Sequence, residues 1–140
     1  MATGEQEMRQ PLVLVPAEIR SYERGGGART IPLVTKEGGA SCFINGMTVF
    51  APDASIPLHI HSCDESVTIL EGQAMAEIDG VFHTLDHGTT TFIPAGIPHR
   101  FVNASHTQDM TILWIYASVD ATRTIVATGT TRSIIDEHNL

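Results

Sequence analysis

The feature that most constrains this chain is a succession of strand-sized runs from Phe43 to Ala117, each closed by a turn signal. The runs are Ile44 to Ala51, Ile56 to His61, Val67 to Leu70, Ala74 to Ile78, Val81 to Leu85, Thr89 to Ile93, Arg100 to Val102 and Met110 to Ala117. Between them lie Pro52-Asp53, Glu71-Gly72, Asp79-Gly80, His87-Gly88, Pro94-Ala95-Gly96 and Asn103-Ala104-Ser105. Short runs recurring about every 8 to 12 residues between turn signals predict an all-β antiparallel sandwich or barrel. Asp79-Gly80 predicts a tight hairpin, because a type I′ turn needs positive φ at both central residues. Met110 to Ala117 is apolar on nearly both faces and is expected to be covered on both. With 140 residues, 42% of them hydrophobic, the chain can close one core. A single domain is expected, with a central region over about 40–118 and arms over 1–39 and 119–140.

The N-terminal flank has a short apolar run, Leu12 to Val15, closed by Pro16, then a polar loop from Arg20 through Gly25-Gly26-Gly27 to Arg29. A triple glycine cradles phosphate when a helix N-terminus follows it, but Ile31-Pro32-Leu33-Val34 reads as extended chain. The C-terminal flank holds one strand-like stretch, Thr124 to Ala127, before a polar end. Sixteen acidic against eight basic residues give a net charge of −8, which repels phosphate backbones and anionic lipid surfaces. Neither nucleic acid nor a membrane is expected as a partner. The richest apolar stretch, Ile112 to Ala117, is far shorter than the ~18 residues of a membrane helix. The first ten residues lack the basic start and apolar run of a secretory signal, and Cys42 and Cys63 make no disulfide framework. A cytoplasmic location is the resulting expectation.

The chemistry concentrates in three of the seven histidines. In a strand, residues i and i+2 face one side, so His59 and His61 present both imidazoles to one interior. Glu65 follows just past the turn Ser62-Cys63-Asp64, where its carboxylate can fold back toward them, and His99 follows Pro98 at the start of another strand. Borderline divalent ions accept this imidazole and carboxylate mixture. Asp64 replaces Glu65 if the turn differs by one residue. His83, His87, His106 and His138 are expected to be solvated.

Read outward from these residues, the chain resembles the cupin superfamily. That family's first motif is a glycine, five residues, HxH, three or four residues, Glu, six residues and a glycine. Here His59-Ile60-His61, Glu65 and Gly72 stand at those spacings, with Asp53 in place of the leading glycine. The second motif matches throughout: Gly88, Pro94-Ala95-Gly96, His99 and Asn103. Asp53 is tolerable there, since Asp also adopts left-handed φ. Asn103 is expected to satisfy backbone groups where its strand ends.

The resemblance implies an antiparallel jelly-roll β-barrel. It implies one divalent transition metal ion (Fe, Mn, Ni, Zn, Co or Cu) held by His59, His61, Glu65 and His99, with positions left open to water or substrate. Small members commonly dimerise, and the doubly apolar Met110 to Ala117 run and the terminal arms also ask for cover, so a homodimer is expected. The expected function is a metal-dependent enzyme acting on a small oxygenated organic molecule, of dioxygenase type or else an isomerase, lyase or hydrolase. The alternative is a non-catalytic, metal-bound small-ligand binding or accessory protein. Glu65 is the candidate catalytic base. Met47, Val49, Phe101, Ile112, Trp114 and Tyr116 are the candidate substrate pocket, with Arg29 or Arg100 available to a carboxylate if either turns inward; strand alternation points Arg100 outward.

Overall fold

The computed structural model describes residues 9–137; His138 and residues 1–8 lie outside them. The described chain has a 3₁₀ turn at Pro16–Glu18 and then twelve strands. These are β1 (Tyr22–Gly25), β2 (Ala28–Pro32), β3 (Ile44–Phe50), β4 (His59–His61), β5 (Glu65–Glu71), β6 (Gln73–Ile78), β7 (Val81–Asp86), β8 (Thr90–Ile93), β9 (His99–Asn103), β10 (Met110–Tyr116), β11 (Thr122–Ile125) and β12 (Thr131–Ser133). A one-turn helix, α1 (Ile134–Glu137), follows. No helix among the described residues is long and apolar enough to cross a membrane.

The strands form two six-stranded antiparallel sheets, ordered β1-β2-β3-β10-β5-β8 and β12-β11-β4-β9-β6-β7. The inner orders β3-β10-β5-β8 and β4-β9-β6-β7 are those of a jelly roll. The expected closed barrel does not form: among the described residues no ladder joins the edge strands of one sheet to those of the other. The core between the sheets is built from inward side chains at every second position. Phe50, Val67, Ile69, Ile93, Phe101 and Met110 are all buried there. Strand β10 pairs with β3 over its whole length and with β5 on its other side, so its backbone is satisfied on both edges.

The turns follow their sequence signals. Asp79 and Gly80 have φ of 51° and 80°, the pair of left-handed residues that a type I′ hairpin requires. Asp53 stands at φ 64°, the conformation a glycine would otherwise supply. Asn103, only 2% exposed, donates from its amide to the carbonyls of Phe50, Ala51 and Gln108 at 3.1, 3.1 and 2.7 Å, and accepts from the Ser105 N–H at 2.9 Å. It ties the end of β9 to the end of β3 and to the loop before β10.

Both flanks are more ordered than the sequence reading allows. The stretch expected to be a polar loop from Arg20 to Arg29 is the β1–β2 hairpin, with Tyr22 paired to Thr30 and Gly25 to Ala28. Its turn uses the positive φ of Gly26 and Gly27 at 62° and 86°, and a Cβ on Gly26 would come within 2.6 Å of the Ser55 carbonyl. The strand expected at Thr124 to Ala127 begins two residues earlier, at Thr122, because β11 pairs with β4 in a register set by Arg123 opposite His61. Leu12 to Val15 forms no strand.

Candidate metal centre

His59 and His61 are the two ends of β4, and His99 begins β9, where it is the direct register partner of His59. Strand alternation turns all three rings inward, and each residue is at most 3% exposed. Their ring centroids lie 4.4 to 5.1 Å apart, and one potential donor atom from each lies within 4.8 Å of the others.

Which nitrogen faces the centre is fixed by the other one. Nδ1 of His59 is 2.8 Å from the Pro57 carbonyl, Nδ1 of His99 is 2.8 Å from the Ile97 carbonyl, and Nδ1 of His61 is 3.1 Å from the Thr122 carbonyl. A carbonyl can only accept, so each Nδ1 carries its proton and each Nε2 of a neutral ring offers a lone pair. Nε2 of His61 is buried without a hydrogen-bond partner among the described residues, a state that costs free energy unless something occupies the lone pair. This donor set, with one orphaned Nε2, fits a borderline divalent ion.

Glu65 opens β5 in the facing sheet and is 5% exposed. Its Oε1 lies 2.8 Å from His99 Nε2 and 3.6 Å from His61 Nε2. Since His99 Nδ1 already donates to Ile97, one proton must sit on the short link, either on Nε2 or on Oε1, and must leave before Nε2 can ligate. Asp64, the alternative at this turn, is exposed and accepts from the Ala95 N–H at 2.9 Å. Tyr116, register partner of Glu65, is buried and packs its ring 4.6 Å from that of His61.

Burial dominates the electrostatics. It holds His59 well below the ordinary histidine value of 6.5, with the neighbouring His99 and His61 adding to the effect. It lowers His61 as well, against the opposing pull of Glu65. Burial, then the Glu65 charge, pushes the Tyr116 phenol well above 10, so it stays a hydrogen-bond donor. Cys63 is half-buried against the core, and its thiol is raised, again chiefly by burial.

Among the candidate pocket residues, Phe101, Ile112, Trp114 and Tyr116 face inward, with Trp114 stacked on Tyr116 at 4.9 Å. Met47 and Val49 do not: the inward positions of β3 are Ile44, Gly46, Thr48 and Phe50, which leaves Met47 and Val49 half-buried on the outer face. The inner face of β3 instead accommodates Trp114, whose indole lies over Gly46 and donates to Thr48 Oγ1 at 3.0 Å. The cavity that reaches His59, about 200 Å³, is lined instead by residues that include Ile56, Pro57, Arg24, Arg123, Ile125 and Glu137. Arg24 and Arg123 come from the flanking hairpins and Glu137 from α1, and strand parity in β1 and β11 is the only local signal for the two arginines. Arg29 is exposed and Arg100 points outward to Glu77 at 2.9 Å. His83, His87 and His106 are exposed, with His106 bonded to Asp53.

The comparisons agree with this architecture. The family model described as a cupin domain matches residues 46–116, just over half of the chain. Comparison with curated proteins gives no significant match. Among solved structures, the polyketide cyclase RemF from Streptomyces resistomycificus superposes with a TM-score of 0.72 at 21% identity, over 89% of this chain and 86% of that one. A predicted oxalate decarboxylase from Thermotoga maritima gives 0.69 at 23% identity, over 76% and 99%. A cupin-superfamily sugar phosphate isomerase from Silicibacter pomeroyi gives 0.64 at 21% identity, over 89% and 94%. These likenesses show a shared fold. With the motif spacings, the jelly-roll order and the family match in hand, the chain belongs to the cupin family.

Proposed function

We propose that this protein is a metal-dependent enzyme that acts on a small oxygenated organic molecule, with one divalent transition ion held by His59, His61 and His99 and by Glu65. The observation that carries the reading is the alignment of three buried Nε2 lone pairs, each set by a backbone carbonyl behind its ring. An ion bound there supplies Lewis acidity toward a ligand oxygen and, if redox-active, the oxygen chemistry of a dioxygenase. A redox-inert ion leaves isomerase, lyase or hydrolase chemistry, for which Glu65 is the base.

The chain's own groups have definable tasks in this reading. Glu65 takes up or yields a proton at Oε1, the oxygen already linked to His99. Tyr116, opposite Glu65 in the β5–β10 ladder, keeps its phenolic proton in the physiological range and can offer it to that carboxylate. Phe101, Ile112 and Trp114 exclude water and raise the strength of every charge interaction inside. Similar folds belong to a polyketide cyclase, a predicted oxalate decarboxylase and a sugar phosphate isomerase, so the test must cover several activities. Metal content of the protein as purified is measured first, then oxygen uptake and product formation with small diketones, phenols and keto acids. Retained metal and turnover that both vanish in His61→Ala support the reading; protein that keeps no ion after dialysis against Fe, Mn, Ni, Zn, Co or Cu refutes it.

The same reading includes a homodimer formed through the outer face of β3 and β10. Met47, Val49, Leu113 and Ile115 form a half-buried apolar stripe there, which a second copy would cover. A monomeric mass by light scattering at micromolar concentration would exclude it. A cytoplasmic setting accords with Cys42 and Cys63, both free thiols.

A further inference from the structure

Three charged side chains that the metal site does not use meet in the cavity that reaches His59. Arg24 Nη2 lies 2.7 Å and Arg123 Nη1 2.5 Å from the same oxygen, Oε2 of Glu137. The three side chains are only 12%, 7% and 10% exposed. Arg24 also donates to Thr30 Oγ1 at 3.3 Å, which in turn lies 3.0 Å from Thr48 Oγ1, so its guanidinium is braced from below. Arg123 is the register partner of His61, and its Nε is buried with no hydrogen-bond partner among the described residues. Two buried guanidiniums thus converge on a single carboxylate beside the histidines, with the Arg123 Nε–H left without a partner among the described residues.

The carboxylate is delivered by a short element held through Ile134 in the core and through Glu137 itself. α1 is one helical turn, far short of the length at which a helix is stable by itself, and its buried residues are Ile134 and Glu137. We propose that Arg24 and Arg123 are a carboxylate-binding clasp for the ligand of the histidine site, and that Glu137 fills the clasp until a small organic carboxylate displaces it and α1 together. The proposal rests on the reading that this cavity serves a small molecule. Guanidinium forks match planar carboxylates, and the resident occupant is one. Exchange of one carboxylate for another leaves the charge balance of the clasp unchanged, whereas a neutral ligand would strand two buried cations. A cavity of about 200 Å³ limits the ligand to a few heavy atoms beyond the carboxylate, and places them toward His59.

The test uses the full chain in EDTA, so that no ion contributes, with propionate as the probe and chloride at matched ionic strength as the control. Glu137→Ala is expected to melt below the wild type and to regain most of that loss in propionate but not in chloride. Adding Arg24→Gln to it is expected to erase the propionate-specific gain. By calorimetry, Glu137→Gln, which keeps the side-chain volume if the alanine variant fails to fold, is expected to bind propionate at least about tenfold more tightly than the wild type. Equal responses to propionate and chloride in the Glu137 variants, or a propionate gain that survives Arg24→Gln, would overturn the clasp. Metal retention by His59, His61 and His99, measured separately, tells failure of the clasp from failure of the metal reading.

Discussion

Replacing Asn103 separates a structural role from a catalytic one. Its amide carries two hydrogens shared among three carbonyls, and its oxygen accepts one N–H. The Ala51 carbonyl keeps a second donor, the Ala54 N–H at 3.0 Å, so it is not stranded. Removing the amide therefore costs two buried hydrogen bonds at about 1 kcal/mol each, plus the desolvation of at least one carbonyl left without a donor. We expect Asn103→Ala to lose about 2–4 kcal/mol, a fall in Tm of roughly 6–15 °C for a chain of this size. Asn103→Asp is expected to lose at least as much, because an oxygen then faces carbonyl oxygens now 2.7 to 3.1 Å from the amide. Urea denaturation with an unchanged m value gives the loss directly. Metal content per folded molecule should not change. A loss below about 0.5 kcal/mol, or depleted metal at unaltered stability, would refute the assignment of Asn103 to the scaffold.

His99→Ala is expected to weaken metal affinity by at least about 100-fold while circular dichroism stays that of a folded β protein; unfolding on EDTA treatment would show the ion to be structural instead. For the metal-free protein, His59 and His61 titrate below 6.5 when folded, so the unfolded chain binds protons that the folded one refuses. Stability is then full above about pH 6.5 and falls with acid by at most ~1.4 kcal/mol per pH unit for each ring; a urea midpoint constant from pH 7 to 5 would contradict this. Tyr116→Phe is expected to fold with a loss of about 1 kcal/mol and to slow turnover about tenfold or more, read as kcat with KM nearly unchanged. Gly46→Ala places a Cβ 2.6 Å from the Ile31 carbonyl and closer still to the Trp114 ring, and should cost about 1–3 kcal/mol by thermal melting.

Much of the centre was legible because it depends on short-range geometry. His59 and His61 share a face by strand period alone, and the positive φ values of Asp53, Asp79 and Gly80 follow from residue type. The preference for Glu65 over Asp64 comes from the motif spacing; the register of β5 against β10 puts Glu65 inward, opposite Tyr116, while Asp64 is exposed. What was not legible depends on long-range pairing. Arg24 and Arg123 enter the cavity because β1 and β11 dock on the edges of β2 and β4, and nothing local to residues 20–29 or 119–137 records those partners. Met47 faces outward, which was not legible for a related reason: in a strand where both faces are apolar, parity does not say which face is inner, and the small Gly46 and polar Thr48 hold the inner positions under Trp114. The barrel expectation failed because strand count and turn spacing are the same for two facing sheets as for a closed one.

The three carbonyls that orient the histidine rings differ in where along the chain they arise. Pro57 and Ile97 each stand two residues before the ring they brace, so those braces form with the local strand, whereas His61 depends on Thr122, sixty-one residues later. A polypeptide emerging from the ribosome can therefore pair β4 with β9 and bring His59 and His99 side by side before β11 exists. His61 acquires its tautomer only when β11 docks on β4. In the metal reading proposed above, tight uptake would wait on β11, and a chain cut before Thr122 would hold two oriented imidazoles and a third still free to turn.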